Sequence, residues 1–169
     1  MTPLINHVDI GKYKPIAKDI PPDRLGASIL EAQVIDLESI LGAALYNDFM
    51  ADPTVAKYQD LLKGKDYQLN GVTIHFEGLI PMLSYFALAR FTTSNQGSWT
   101  SFGVVKKRSE QSEPMNGQEI SSLASELRAI GLAYGEKVKQ FLQANPTVYP
   151  LYNGHGNGLN SLSVKFFDV

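Results

Sequence analysis

The stretch Leu79-Ile-Pro-Met-Leu-Ser-Tyr-Phe-Ala-Leu-Ala-Arg-Phe91 decides the fold. On a helical wheel Leu79, Ile80, Met82, Leu83, Tyr85, Phe86, Ala87, Leu88, Ala89 and Phe91 leave no polar face. A helix that is apolar all round is buried on every side. Pro81 suits only a first turn, where its missing N–H costs no helical bond. The helix is therefore predicted to start near Ile80 and to end between Thr92 and Asn95. At about 1.5 Å per residue it is roughly 20 Å long, too short, with Arg90 inside it, to cross a bilayer. It reads as the central core helix of a small helical domain.

The 169 residues are enough for one domain with a real core. Fifteen basic against seventeen acidic residues give a net charge of −2, which offers no electrostatic case for nucleic acid or anionic membrane as a general partner. With no cysteine, disulfides, thiolate metal sites and a thiol nucleophile are excluded, as fits a reducing compartment. The N-terminal Met-Thr-Pro-Leu-Ile-Asn-His has no basic segment followed by an apolar run, so no signal peptide and a cytoplasmic location are expected.

Outward from the central helix, residues 1–21 hold Pro3, Gly11, Pro15 and Pro21 and read as an extended arm with a short strand from Leu4 to Ile10. Pro21-Pro22-Asp23 opens a helix. Leu25, Ile29 and Ala32 form one apolar row, and Leu30, Val34, Leu37 and Leu41 the adjacent row. Leu41-Gly42 permits a stop, a shorter helix follows to Met50, and Asp52-Pro53 ends it. Thr54 is placed to cap a third short helix that Gly64 closes. Within residues 66–76, Tyr67 and Leu69 alternate before Asn70-Gly71, and Val72, Ile74 and Phe76 alternate after it. Asn-Gly suits the positive φ angles of a type I′ turn, so a two-residue β-hairpin is predicted.

Residues 96–117 lack a helical period and read as a long inter-helix loop carrying Trp99, Phe102, Val104 and Val105. Apolar groups in such a loop call for a covering partner. Asn116, with Glu119 three residues on, resembles a capping box opening the last helix. Ile120, Leu123, Leu127, Ile130, Tyr134, Val138 and Phe141 line that helix until Asn145-Pro146 stops it. Residues 151–169 read as an extended tail: a Gly/Asn-rich linker, then an alternating strand-like end carrying Phe166 and Phe167.

No residue constellation argues for catalysis. His7, His75 and His155 share no ligand spacing, so no metal is expected, and no cofactor. Gly154, Gly156 and Gly158 lack the strand-before, helix-after context of a phosphate loop. Asp23, Asp36, Glu38, Asp48, Asp60, Asp66, Glu77 and Glu119 are expected in exposed or capping places, and no Gly-x-Ser-x-Gly elbow is present. Lys106-Lys107-Arg108 is a basic triplet followed by Glu110 and Glu113, suited to a solvated loop, to DNA phosphate or to an acidic partner.

Ile29-Leu-Glu-Ala-Gln-Val-Ile-Asp-Leu37, Leu41-Gly42, Leu45-Tyr46, the helix ending Ala89-Arg90-Phe91, and Phe102-Gly-Val-Val-Lys-Lys-Arg-Ser-Glu-Gln-Ser-Glu-Pro114 before a long last helix form an ordered set. Over residues 21–150 it resembles the head–tail connector (adaptor) proteins of tailed bacteriophages, in the version found in phages of Bacteroides-type hosts, including crAss-like phages. The resemblance implies a small helical protein that is not an enzyme. It implies a ring, usually a dodecamer, beneath the portal vertex, with portal protein on one face, tail or further ring proteins on the other, and packaged DNA in the lumen. It implies a virion location after assembly in the host cytoplasm, with no membrane partner. Inter-subunit and portal contacts would fall on the loop and the chain ends: Trp99, Phe102, Val104, Val105, Lys106, Lys107, Arg108, Phe166 and Phe167. The expected fold is mainly α: four to five helices in residues 22–150, one β-hairpin, the long loop, and extended ends. A small cytoplasmic DNA-binding or regulatory protein using the basic triplet is the alternative.

Overall fold

A computed structural model describes residues 1–14, 22–94, 97–100, 103–106 and 116–153, with backbone alone at 22–24, 97–100 and 103–106. The helices and strands follow in the order α1 (His7–Gly11), α2 (Pro22–Glu31), a π turn (Ala32–Asp36), α3 (Leu37–Leu41), α4 (Ala43–Ala51) and α5 (Ala56–Lys63). Then come β1 (Lys65–Leu69), β2 (Val72–Phe76), α6 (Ile80–Ser94), β3 (Gly97–Thr100), β4 (Gly103–Lys106) and α7 (Gly117–Ala144). The protein is a mainly helical domain, and among the described residues it has two antiparallel hairpins; the helical class and the first hairpin are as its periodicities predict.

The apolar stretch is α6, and Leu79, Met82, Leu83, Phe86 and Ala87 are buried along it. Its one hydroxyl in the interior, Ser84, donates back to the Ile80 carbonyl at 2.7 Å. The helix packs chiefly against α7, where two glycines let the axes close up. A Cβ at Gly131 would sit 2.9 Å from the Phe86 ring, and one at Gly135 would sit 3.1 Å from Ile40 Cδ1. Full burial of a side chain such as Phe86 contributes roughly 2–3 kcal/mol, so this seam is a large part of the core. The α7 helix is opened by the predicted capping box: Asn116 Oδ1 accepts from Gln118 N and Glu119 N, and the Glu119 carboxylate accepts from Asn116 N. It ends at Ala144, before Asn145-Pro146.

The first hairpin forms in the expected register, Leu69 opposite Val72 across a turn with positive φ at Asn70 and Gly71. Its buried side lies on α7: Phe76 stacks on Phe141 at a centroid distance of 4.2 Å, and Tyr67 meets the same ring edge-on at 5.3 Å. Gly64 and Gly78 bracket the hairpin with φ of 95° and 83°. A Cβ on either would collide with backbone across the neck, with Phe76 O from Gly64 and Leu62 O from Gly78.

Four expectations differ from what forms. Residues 1–14 hold a short helix, not a strand, because Asn6 and Asp9 make a capping box at α1. Ile5 and Ile10 are buried, and Gln33 clasps the segment by accepting from Leu4 N at 2.8 Å and donating to Thr2 O at 3.2 Å. The stripe on the helix after Pro22 is broken by the π turn, in which Leu37 N–H bonds to Ala32 O. The extra residue shifts the buried face from the row of Leu25, Ile29 and Ala32 to Leu37, Ile40 and Leu41 and leaves Val34 and Ile35 outside, so Val34 leaves its predicted core row. Thr54 is not the cap of α5; Val55 holds that place, and Thr54 instead donates to Asp52 Oδ1 through both its N–H and its hydroxyl. The stretch expected as a continuous loop contains β3 and β4, paired with each other in antiparallel register.

Candidate interaction surface

Side-chain periodicity carried no signal for β3 and β4, because their short strands flank Ser101-Phe102 in place of an Asn-Gly pair. Their register sets Trp99 opposite Val104, Ser98 opposite Val105 and Gly97 opposite Lys106. Trp99, Val104, Val105 and Lys106 are thereby brought onto one two-stranded ribbon between the two longest helices. Phe102, Lys107, Arg108, Phe166 and Phe167 lie outside the described residues, as does His155. Each ribbon pairs only with itself among the described residues, and an isolated two-stranded hairpin is marginal in water.

Elsewhere the surface carries apolar side chains in pairs. Val34 and Ile35 stand out from the π turn, Leu69 and Val72 flank the first hairpin's turn, and Val148 and Leu151 follow α7. A cavity of about 310 Å³ separates the N-terminal segment from α2, lined by Pro3, Leu4, Ile5, Leu25 and Ile29 among others. His7 and His75 are exposed and far from one another in the fold order; His75 Nδ1 lies 2.6 Å from Asp66 Oδ1. Among the described residues no group of three or more His, Asp or Glu side chains is arranged to hold a metal ion. No helix among them is long and apolar enough to cross a membrane.

One polar cluster went unpredicted. Asp36, expected exposed, is buried at 1 % relative accessibility, four residues after Ala32 and seven after Ile29 on the buried row. Arg90 Nε donates to its Oδ2 at 2.7 Å and Arg128 lies 3.2 Å from its Oδ1. Arg90 also reaches Glu31 at 3.7 Å, and Arg128 lies over the Phe86 ring at 5.3 Å. The Asp36 carboxylate beside it makes the Arg90 guanidinium hold its proton more tightly than usual, against the opposing effect of burial. With one oxygen on each cation, Asp36 joins α6 and α7 to the π turn. Arg90, a single cation in an otherwise apolar helix, was the sequence signal that a buried acid had to meet it.

Residues 37–160 match the sequence model of a family of unknown function, DUF6712. The chain belongs to the DUF6712 family. The matched region begins with α3 and takes in α4 to α7 and both hairpins, so it covers the helical body from α3 onward together with the ribbon between α6 and α7 and leaves out α1, α2 and the π turn. No curated protein and no solved structure matches this DUF6712 chain.

Proposed function

We propose that this DUF6712 protein is a structural virion protein, a subunit of an oligomeric connector ring that joins the portal vertex of a tailed phage to its tail and surrounds the DNA channel. The observation that carries the reading is the self-paired ribbon holding Trp99, Val104, Val105 and Lys106, set between the two longest helices of a rigid helical body. A two-stranded ribbon gains little alone and is stabilised by packing on another surface. Head-to-tail contacts of one patch with a different patch on the next copy form a ring when the rotation between copies closes and a filament when it does not, and such a ribbon supplies one of those patches. The stretches that carry the resemblance to connector proteins fall from α2 to α3, on α4, on α6 and, for Gly103 to Lys106 of the last of them, on this ribbon. The partners are further copies of the chain, portal protein, and tail or other ring proteins, with DNA passing through.

Deletion of residues 98–112 tests it. The variant is expected to keep its helical circular dichroism and to lose assembly, measured by mass photometry of the full chain and the variant, each alone and mixed with the cognate portal. The intact chain is expected at a closed multiple of 18.6 kDa, alone or on portal. A deletion variant that assembles like the intact chain, or an intact chain that stays monomeric in both conditions, refutes the reading.

A further inference from the structure

Residues 1–14 rest on the helical body through few ties. Among the described residues no backbone hydrogen bond joins this segment to the body: Ile10 N bonds to Asn6 O, Lys12 N to Asp9 O, and Tyr13 N and Lys14 N to Ile10 O. The capping box at Asn6 and the ion pair of Lys12 with Asp9 are internal as well. The segment thus keeps its hydrogen bonds whether or not it touches the body.

Its packing is uneven. Ile5 and Ile10 are buried, and the main helical neighbour of α1 is α6. There the Tyr85 hydroxyl donates to Tyr13 O at 3.4 Å, a long bond, and the two rings lie tilted with centroids 6.5 Å apart. On the α2 side the contact is incomplete, because the cavity of about 310 Å³ lies between Pro3, Leu4 and Ile5 and the turn from Leu25 to Ile29. A gap of that kind forfeits dispersion contacts on both walls.

The remaining tie is Gln33. Its side chain is buried, and its amide bonds the segment's main chain twice, accepting from Leu4 N at 2.8 Å and donating to Thr2 O at 3.2 Å. A carbonyl and an N–H two residues apart are the pair that one residue of a parallel strand would engage. One side chain therefore stands in for a neighbouring strand. When the segment leaves, water reaches the amide, so the loss is an exchange of hydrogen bonds and not an orphaned buried group. The α6 helix keeps its seams with α7 and α2 in either state.

We infer that residues 1–14 are a strap, latched by Gln33, that lifts from the body as one unit while α2 to α7 stay folded. Opening below the level of global unfolding belongs to units with few buried contacts and few hydrogen bonds to the rest. Lifting uncovers Leu25, Ile29 and the Gln33 amide, a face that is closed at rest. The strap lies outside residues 98–112 and opens in a single chain, so this inference is independent of the connector reading.

Hydrogen exchange of the unaltered protein tests it first. Relative to intrinsic rates, the Leu4 amide is expected to exchange at least about a hundredfold faster than amides of α6 and α7, with little dependence on urea below the unfolding transition. A Leu4 amide protected like those helices, and released by urea in parallel with them, overturns the inference. The far end of the strap is read by thiol labelling, since the chain has no cysteine. Full-length Ile10→Cys is expected to label far faster than full-length Leu61→Cys, whose site is fully buried in α5. The opening constant of Ile10→Cys should agree with that of the Leu4 amide measured in the same variant. Labelling of Ile10→Cys as slow as that of Leu61→Cys means that the first residues fray alone, and overturns the unit. Gln33→Leu keeps the bulk and removes the amide. Added to Ile10→Cys, it is expected to speed labelling about tenfold, or roughly 1.4 kcal/mol. If it speeds Leu61→Cys and leaves Ile10→Cys unchanged, Gln33 supports the body and its latching role is overturned. These readouts do not involve assembly, so their failure leaves the deletion test of the β3–β4 ribbon unaffected.

Discussion

Asp36 shows how much one residue depends on its local helix geometry. In a continuous α-helix it falls four residues after Ala32 and seven after Ile29, on their apolar row and away from Glu31 and Glu38. There it lies under the bundle between Arg90 and Arg128. Removing one member of a buried ion pair strands the other and costs about 3–5 kcal/mol, more than the pair itself contributes over an apolar replacement. Asp36→Asn retains the shape and removes the charge, leaving Arg90 facing an amide. Arg128 is half-exposed and can turn to water, so the low end is expected. The loss should be about 3 kcal/mol, or a fall in melting temperature of roughly 6–12 °C for a chain of this size. A melt within a degree or two of the parent would show that the cluster is a solvated surface pair. The sequence held both halves of this: Arg90 required a buried partner, and Asp36 stands on the row of Ile29 and Ala32, a spacing outweighed in the reading by its charge.

At the scale of elements, legibility follows whether a signal is local. Asn70-Gly71, the capping box at Asn116 and the stop at Pro146 are written in neighbouring residues, and each produced the predicted boundary. The π turn and the β3–β4 ribbon are not, since one is set by packing on α6 and the other has no Asn-Gly turn pair. The Asn6–Asp9 box was equally local, yet three prolines and a glycine nearby concealed it. The α6–α7 seam depends on a further feature that periodicity overlooks: Gly131 and Gly135 stand among the large residues of α7 and are buried. Gly131→Ala gains about 1 kcal/mol of helix propensity, but its Cβ comes to 2.9 Å from a fully packed Phe86 ring. Overpacking of that kind costs about 1–3 kcal/mol, so a net loss of roughly 1 kcal/mol is expected in urea unfolding. Gly117→Ala, on the same helix with nothing near its added methyl, should be neutral or stabilising. If both substitutions behave alike, close approach of the two helices is not what selects glycine there.

For the whole molecule, the ion pair between Glu77 and Lys137 ties the base of the first hairpin to α7, at 2.7 Å. Burial pushes the Glu77 carboxyl upward, but the hydrogen bond and charge of Lys137 outweigh it and leave it below the ordinary 4.5. Lys137 is raised above its ordinary 10.5, chiefly by the hydrogen bond to Glu77 and against a smaller effect of burial. The signs follow from linkage. Glu77 contributes stability that is complete above its unfolded value near 4.5 and is lost as pH falls through the lower folded value. Lys137 contributes stability that is complete below 10.5 and is lost as pH rises through its higher folded value. Asp48, lowered mainly by the hydrogen bond from the Tyr58 hydroxyl, and Asp52, lowered mainly by Thr54, share the sign of Glu77. The melting temperature should therefore form a plateau between about pH 5 and pH 10 and decline on both sides. Glu77→Gln should melt lower than the parent on the plateau and show a shallower acid limb, the two curves converging once the pH has fallen below the folded value of Glu77. Asp48 and Asp52 still titrate in the variant, so its acid limb should not vanish. Parallel curves across the acid range would mean that the hairpin is held to α7 by the Phe76, Tyr67 and Phe141 rings alone, with the ion pair an incidental surface contact.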